Sequence, residues 1–410
     1  MTTSIAVIFV IVYAGMILGS LPFLQLDRTG VALLGAIALI SIDAVSLRDA
    51  AEAVDLPTII LLFAFMVLSA QMRLGGFYDW VTSKLAQLPL SPRLLLGAEI
   101  LLVAALSAVF SNDIVCLAIA PVLIAACGRR KLDPVPYLLA LACAANIGSA
   151  LTLIGNPQNM LIGQTLRLSF AGYSAEAALP VVLGLAATWG LIAWQTRGRW
   201  SVEALTATSA PSSAYLSETP FDAWQTTKGL VVAAVLLLAF LFTPWPREHL
   251  ALTAAGLLLM SRRLHSNQML GLVDWELLIL FIGLFVVNCA LQRTGIVGQV
   301  ASDLATVGID LNRLGPLFAV TFVLSNIVSN VPAVMMLLPF ARDPLAGPML
   351  ALVSTLAGNL LIVGSIANII VVSSAARYGV RIDWRQHARI GIPVTLVTLA
   401  ICAVYLWLRQ

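Results

Sequence analysis

The chain has 410 residues, of which 60% are hydrophobic and only 10% are charged, and its formal net charge is +3. Water-soluble domains carry about 25% charged residues, so this composition excludes a soluble globular protein. Repeated apolar runs of roughly 17–25 residues have the length that crosses a bilayer as a helix. The sequence therefore predicts a polytopic α-helical membrane protein.

Simple crossings account for most of the apolar runs. They are predicted at residues 5–24, 30–45, 56–74, 175–195, 227–243, 248–261, 274–292 and 388–408. Two other apolar stretches, 94–126 and 314–340, are interrupted by Ser111-Asn112-Asp113 and by Ser329-Asn330. The segments after these interruptions are short for a crossing, and irregular backbone at membrane depth is tolerated only where it lines a protein-enclosed cavity. Both stretches are predicted to be re-entrant hairpins.

Two further apolar stretches, 137–163 and 348–375, have polar centres. These centres are Gly155-Asn156-Pro157-Gln158-Asn159 and Gly364-Ser365-Ile366-Ala367-Asn368. Proline removes a backbone donor and amide side chains compete for backbone groups, so both stretches are predicted to be discontinuous helices. The expected fold is all-α, with about ten transmembrane helices, two re-entrant hairpins and two broken helices.

The chain divides into two similar halves. A Ser-, Thr-, Ala- and Pro-rich linker at 197–226 separates residues 1–196 from 227–410. Val54-Asp55 recurs as Val273-Asp274, and the separation in sequence is nearly the same as that between the two Ser-Asn pairs. Interrupted apolar segments at matching places in two halves point to a transporter site.

An odd number of crossings in each half makes the predicted repeats inverted. Most of the 23 Lys and Arg residues then fall on one side of the membrane. The positive-inside rule places that side in the cytoplasm and both termini outside. We therefore expect a multi-pass protein of a bacterial- or archaeal-type inner membrane, surrounded by lipid.

Each predicted hairpin carries hydroxyl groups one helical turn apart beside an asparagine. The two sets are Ser107, Ser111 and Asn112 in the first hairpin, and Ser325, Ser329 and Asn330 in the second. Together with carbonyls freed at a helix break, such groups form an oxygen-rich cage that suits a small hard cation. The N–H groups that begin the following half-helix suit an anion or a polar oxygen. The alternative is that these side chains only pair helices.

Asp113 is a carboxylate at predicted membrane depth, and its second-half counterpart is Val331. An acid at this depth is costly and indicates function, so Asp113 is interpreted as a proton acceptor or cation ligand. The alternative is a solvated residue in a cytoplasmic vestibule. Glu99 lies further from the tip and is predicted to snorkel or to pair near the interface. No Lys or Arg falls near either tip, which favours a weakly charged or neutral substrate, or obligatory cation coupling.

An enzyme is not expected. The five cysteines fall in apolar segments, which is typical of small buried side chains. The three histidines fall in predicted loops, and the spans contain neither a Ser–His pair nor metal-ligand spacing. The chain also lacks the Gly-rich nucleotide-binding loop that ends in Gly-Lys-Ser or Gly-Lys-Thr. We expect no cofactor, no metal beyond a coupling Na⁺ (the other candidate coupling ion being H⁺) and no nucleic-acid partner.

At these residues the chain resembles the ion transporter superfamily, which includes divalent anion/sodium symporters, arsenite permeases and sodium/proton antiporters. The resemblance covers nearly the whole chain and rests on the two Ser-Asn tips and on two loops, Ala145-Asn146-Ile147-Gly148 through Asn159 and Gly358-Asn359 through Asn368. It implies one cation site at Ser107, Ser111, Asn112 and the Gly155 loop, and a symmetric site at Ser325, Ser329, Asn330 and the Gly364 loop. It also implies a homodimer and an elevator-like movement.

The substrate is expected between these two cation sites. Its candidate ligands are Asn112, Asn330, Asn156, Pro157, Asn159, Ser365 and Asn368. Carboxylate transporters of the superfamily typically have Thr after each Ser-Asn, whereas Asn112-Asp113 is more similar to the arsenite permeases. The predicted function is ion-coupled secondary transport of a small inorganic oxyanion or metalloid such as arsenite. A sodium-coupled dicarboxylate or sulfate symporter and, in another class, an ion channel are the alternatives.

Overall fold

The computed structural model describes residues 1–19, 25–201 and 220–409, and these residues form helices joined by short connections. Twenty α-helices follow one another in the described ranges, with 3₁₀ turns at Leu338–Phe340 and Ile362–Gly364. In chain order they are α1 (Thr2–Leu18), α2 (Arg28–Ser41), α3 (Leu47–Ala53), α4 (Leu56–Leu74), α5 (Phe77–Gln87), α6 (Pro92–Val109), α7 (Asn112–Arg129), α8 (Pro134–Ser149), α9 (Pro157–Thr165), α10 (Phe170–Gln195), α11 (Ala223–Phe242), α12 (Arg247–Leu259), α13 (Ser266–Leu270), α14 (Trp275–Arg293), α15 (Ile296–Thr306), α16 (Leu314–Val328), α17 (Asn330–Leu337), α18 (Ala346–Ala357), α19 (Ile366–Arg377) and α20 (Trp384–Arg409).

Seven of these helices are long and apolar enough to cross a membrane: α4, α6, α7, α10, α11, α14 and α20. Shorter apolar helices, among them α8, α16, α18 and α19, pack between them. The prediction of an all-α, multi-pass membrane protein is confirmed.

The helices form two series of ten in the same order, α1–α10 and α11–α20. Packing partners are exchanged between the series, because α2 packs on α14 while α12 packs on α4. Likewise α6 packs on α8, α16 packs on α18, and α10 and α20 pack on each other. Gly76 and Gly295 take left-handed φ angles of 67° and 76° at the equivalent joints α4–α5 and α14–α15. This is the packing expected of an internal two-fold repeat.

The helix pairs at the two Ser-Asn motifs differ in length. α6 and α7 have 18 residues each, so either is long enough for a crossing, whereas α16 has 15 residues and α17 has 8. The break before α7 is short, and the Ser111 backbone N–H donates there to the Ser69 hydroxyl of α4 at 3.3 Å. At the second break, Ser329 adopts φ 80° and ψ 160°, a region that side chains rarely occupy. A re-entrant path at 94–126 and 314–340 stays a prediction.

The two discontinuous helices are confirmed. α8 ends at Ser149 and α9 begins at Pro157, a first-turn position where no N–H is needed. The Asn156 side chain caps α9 by accepting from the Asn159 N–H at 2.9 Å. In the second half, α18 ends at Ala357 and α19 begins at Ile366.

The predicted elements need two corrections. The linker predicted to end at residue 226 ends at Asp222, because its carboxylate accepts from two backbone N–H groups and starts α11 at Ala223. Residues 202–219 of that linker, and residues 20–24 of the predicted first span, lie outside the described residues. The short helices α3, α5, α13 and α15 were not predicted, since they lack a long apolar run.

A glycine at the α14–α2 crossing sets how closely these helices approach. A Cβ at Gly283 would lie 2.8 Å from the Ala32 carbonyl carbon, so Gly283→Ala forces backbone to move. We expect a loss of about 1–3 kcal/mol of stability, seen as a lower melting temperature of the detergent-purified protein. Gly190→Ala on α10 is the matched control, because nothing lies within 4 Å of that Cβ and alanine favours helix. Equal melting temperatures for the two variants would contradict the close crossing.

Candidate functional site

Asn146, near the end of α8, is the centre of a buried polar cluster that joins the two halves. Its amide nitrogen donates to the Oδ1 atoms of Asn359 at 2.8 Å and Asn368 at 3.2 Å. Its Oδ1 accepts from the Ser365 hydroxyl at 2.9 Å and from the Asn112 amide at 3.4 Å. The predicted site residues Asn112, Ser365 and Asn368 therefore meet at one side chain. Asn146 and Asn359 appeared among the family motifs but were not predicted to be site residues.

The first helix break reaches the second half through a hydroxyl group on α18. Asn156 donates to the Ser149 hydroxyl at 3.0 Å and to the Thr355 hydroxyl at 3.2 Å. Gln158 donates to the same Thr355 oxygen at 3.1 Å. Thr355, Ser149 and Gln158 complete the cluster. Gln158 belongs to the predicted polar centre but was not a predicted site residue, and Thr355 and Ser149 were not singled out because hydroxyl side chains are common in membrane helices.

The Asn159 amide nitrogen contacts the first helix break and α10, and its role as a substrate ligand stays a prediction. Its amide nitrogen donates to the Thr152 carbonyl at 3.0 Å and to the Tyr173 hydroxyl at 3.1 Å. Tyr173 in turn donates to the Ala150 carbonyl at 2.6 Å. Asn159 therefore holds the backbone of the break against α10, while Asn156 faces the second half. Pro157 begins α9 beside them.

The second tip lies against the other helix break. A Cβ placed on Gly358 would lie 3.2 Å from the Asn330 amide nitrogen. Gly358 directly precedes Asn359, the partner of Asn146, so Asn330 and Asn112 approach one cluster from two sides. The Oδ1 atoms of both tip asparagines are buried and have no hydrogen-bond partner among the described residues.

Two serine hydroxyls are left free beside the breaks. Ser107 and Ser325 are fully buried, and neither oxygen has a partner among the described residues. A Cβ at Gly155 would lie 2.8 Å from the Ser107 carbonyl oxygen, so this break touches α6. At the second break, Gly364 approaches Asn326, whose Oδ1 is also unpartnered. These neutral oxygens fit the ligand set that a Na⁺ ion takes.

Asp113 stands on the first turn of α7 and is half-buried. Its electrostatic neighbour is another carboxylate, Asp274, which caps α14 by accepting from the Leu277 N–H at 2.9 Å. Two ionised carboxylates repel each other, and a bound cation would offset this repulsion. Ser111 lies two residues before Asp113, and its backbone N–H donates to the Ser69 hydroxyl while its carbonyl accepts from the Val115 N–H at 3.0 Å.

The prediction that the histidines lie in loops is wrong for two of them. His249 lies on α12, and His387 lies on α20, which begins at Trp384 and so before the predicted 388. His387 is 2% exposed, and its Nε2 lies 3.1 Å from the Asn359 carbonyl oxygen. Because a carbonyl only accepts, Nε2 carries the hydrogen. His387 therefore supports the backbone of the second break.

The prediction for Glu99 is also wrong. This residue neither snorkels nor pairs near the interface, because its side chain points inward from α6 and is 1% exposed. Both carboxyl oxygens are buried without a hydrogen-bond partner among the described residues.

The comparisons with known proteins identify transporters. Residues 7–357 match the family CitMHS, described as citrate transporter. The silicon efflux transporter LSI3 of Oryza sativa is 28% identical over 93% of this chain and 93% of its own. The inner membrane protein YbiR of Escherichia coli is 31% identical over 84% of this chain and 86% of its own. An uncharacterized transporter of Mycobacterium tuberculosis is 30% identical over 94% of both chains.

A solved structure shares the fold. The YdaH transporter of Alcanivorax borkumensis has a TM-score of 0.57 to this chain and 13% sequence identity, and the match covers 99% of this chain and 98% of that one. This likeness concerns the architecture, and it agrees with the predicted transporter fold.

A substitution at Asn146 tests whether the cluster stabilises the protein as one unit. Asn146→Asp keeps the shape but replaces the donor that faces Asn359 and Asn368, which leaves their buried oxygens unpaired at about 1–3 kcal/mol each. We expect a clear drop in the melting temperature of the purified protein. Thr188→Val on α10 is the control, because the Thr188 hydroxyl bonds only the Gly184 carbonyl of its own helix. A drop no larger than the control's would show that the cluster does not couple the halves.

Proposed function

The chain belongs to the citrate transporter family CitMHS. We propose that it is an ion-coupled secondary transporter, and that its substrate is a small inorganic oxyanion or metalloid species such as arsenite. The coupling ion in this proposal is Na⁺ or H⁺. Inverted halves, both termini outside, a homodimer and an elevator-like movement are parts of the same proposal.

The proposed substrate class is inferred from the uncharged side chains of the central cluster. Its hydrogen-bonding side chains in the described ranges are amides and hydroxyls, listed here as Asn112, Asn146, Ser149, Asn156, Gln158, Thr355, Asn359, Ser365 and Asn368. Such groups both donate and accept, as do the hydroxyls of an uncharged metalloid acid. A tricarboxylate is normally held by Arg or Lys, which supply paired donors and positive charge. The silicon named for the rice relative LSI3 is also a metalloid and supports this choice.

The coupling ion would bind beside the cluster. The unpartnered oxygens of Ser107 and Asn112 in one half, and of Ser325 and Asn330 in the other, support Na⁺. Asp113, an acid at membrane depth that interacts with a second carboxylate, Asp274, supports a proton. Either ion would offset negative charge on the substrate.

A carboxylate or sulfate symporter is the second candidate, and the description of the family favours it. In that case bound Na⁺ and the N-terminal ends of α7, α9, α17 and α19 would balance the substrate charge in place of Arg or Lys. An ion channel is the third candidate. The direct hydrogen bonds that close the cluster between the halves, such as Asn146 to Asn359 at 2.8 Å, argue against an open pore.

Uptake by the purified protein in liposomes separates these functions. We expect saturable uptake of arsenite or germanic acid (an analogue of silicic acid) that depends on an inward H⁺ or Na⁺ gradient. Saturable citrate or sulfate uptake without metalloid uptake would support the second candidate. Flux that neither saturates nor responds to a gradient would identify a channel.

Asn330→Ala should abolish saturable uptake of the true substrate.

Asp113→Asn tests the proton-coupled form. The substitution removes the titratable group and keeps its size, so uptake should lose its dependence on pH while the protein stays folded. Asp303→Asn on the exposed face of α15 is the control and should behave as the unmodified chain. Uptake by the Asp113 variant with unchanged pH dependence would remove Asp113 from the coupling step.

A further inference from the structure

Glu99 is a membrane-embedded acid that the proposed transport site does not use. It lies on α6 between the helix start at Pro92 and the tip serine Ser107, about two turns or 12 Å from that serine. The residue lines a small cavity between α5, α6 and α7, and both of its carboxyl oxygens are buried. The walls are mainly apolar and include Leu85, Leu102, Ile119 and Leu123. An ionisable group in such a place within the membrane indicates function.

Few polar groups share the cavity with this carboxyl. Thr82 of α5 and Cys127 of α7 line it, and the Thr82 hydroxyl is itself buried and unpartnered among the described residues. Cys127 and the Tyr137 phenol of α8 are the titratable groups that interact electrostatically with Glu99. The Tyr137 hydroxyl is occupied, because it donates to the Pro92 carbonyl at 3.0 Å.

The charged residues on the neighbouring elements do not pair with Glu99. Arg130, after α7, directs its guanidinium to the carbonyls of Ala86, Leu88 and Leu90. Asp133 starts α8 by accepting from the Val135 N–H at 3.0 Å. The other charged residues on these three helices do not line the cavity: Arg93 on α6, Asp79 and Lys84 on α5, and Asp113 and Arg129 on α7. On the α10 side, α6 meets the Trp189 indole, which donates to the Arg93 carbonyl.

An ionised carboxylate here would have no counter-ion and, as placed, no hydrogen bond from any described residue, which costs several kcal/mol. The neutral carboxyl avoids this cost. The ionised form becomes favourable when water hydrates the carboxylate, as it would if α5 separated from α6 and α7.

We propose that Glu99 is a second proton-binding site of the transporter, which holds a proton in the conformation seen here and releases it to water when α6 and α7 move against α5. In the release step the carboxyl O–H bond breaks, the proton passes to an entering water molecule, and the carboxylate becomes hydrated. Its use in coupling rests on the proposed ion-coupled transport, whereas proton binding itself does not.

Labelling with dicyclohexylcarbodiimide tests the site without a substrate, since this apolar reagent reacts with protonated carboxyl groups. The unmodified full chain in liposomes is treated at several pH values, and modified peptides are located by mass spectrometry. Glu99 should be labelled near neutral pH, and less as pH rises. Glu176 is the internal control, because it accepts from Tyr405 and pairs with Arg409. Labelling of Glu99 that is absent, or no greater than that of Glu176, overturns the proposal.

Glu99→Gln tests coupling, because the amide imitates the protonated carboxyl and should leave the protein folded. With arsenite as the probe, we expect loss of uptake driven by a pH gradient, while arsenite exchange at equal pH persists. Gradient-driven uptake equal to that of the unmodified chain overturns the coupling role. If the unmodified chain does not transport arsenite, the proposed substrate fails, and the labelling experiment alone decides whether Glu99 binds a proton.

Discussion

The structure depends on how backbone groups are satisfied where helices break among apolar neighbours. No water competes in such surroundings, so each freed carbonyl or N–H needs a protein partner. The Asn368 amide supplies one at the second break by donating to the carbonyls of Gly358 at 2.8 Å and Leu361 at 3.0 Å. Asn159 does the same for Thr152 at the first break. Asn146 then ties both breaks together, so the irregular segments behave as one polar core.

The same core explains how a site can form. Amide and hydroxyl groups from the two halves form hydrogen bonds with one another. When a solute binds, its hydroxyls can replace these partners, so few buried polar groups lose a hydrogen bond. Oxygens that have no partner, such as those of Ser107 and Ser325, mark where a further ligand would complete the set. The acids Asp113 and Glu99 lie outside this neutral core. The residues that would contact the solute are therefore different from the acids that would bind a coupling ion.

The sequence predicted the breaks well because their cause is local. Pro157 and the amides around it interrupt a helix in any context, and the Ser-Asn motifs mark the joints at 111 and 329. Positions set by packing were harder to predict. Glu99 was expected at the interface and His387 in a loop, and both side chains are buried between helices. Asn146 received no role, since one amide in an apolar helix carries no local sign of its four partners.

Composition and periodicity alone determined that this chain is an all-α membrane protein with broken helices, because the length of an apolar run and its polar interruptions are properties of the chain itself. The tertiary structure decided which polar groups meet. Asn112, Asn359, Ser365 and Asn368 converge on Asn146 only after helices from both halves pack together, and residues that are far apart in the sequence carry no signal of that contact. The burial of Glu99 likewise follows from the rotation of α6 against its neighbours, which a single sequence does not specify.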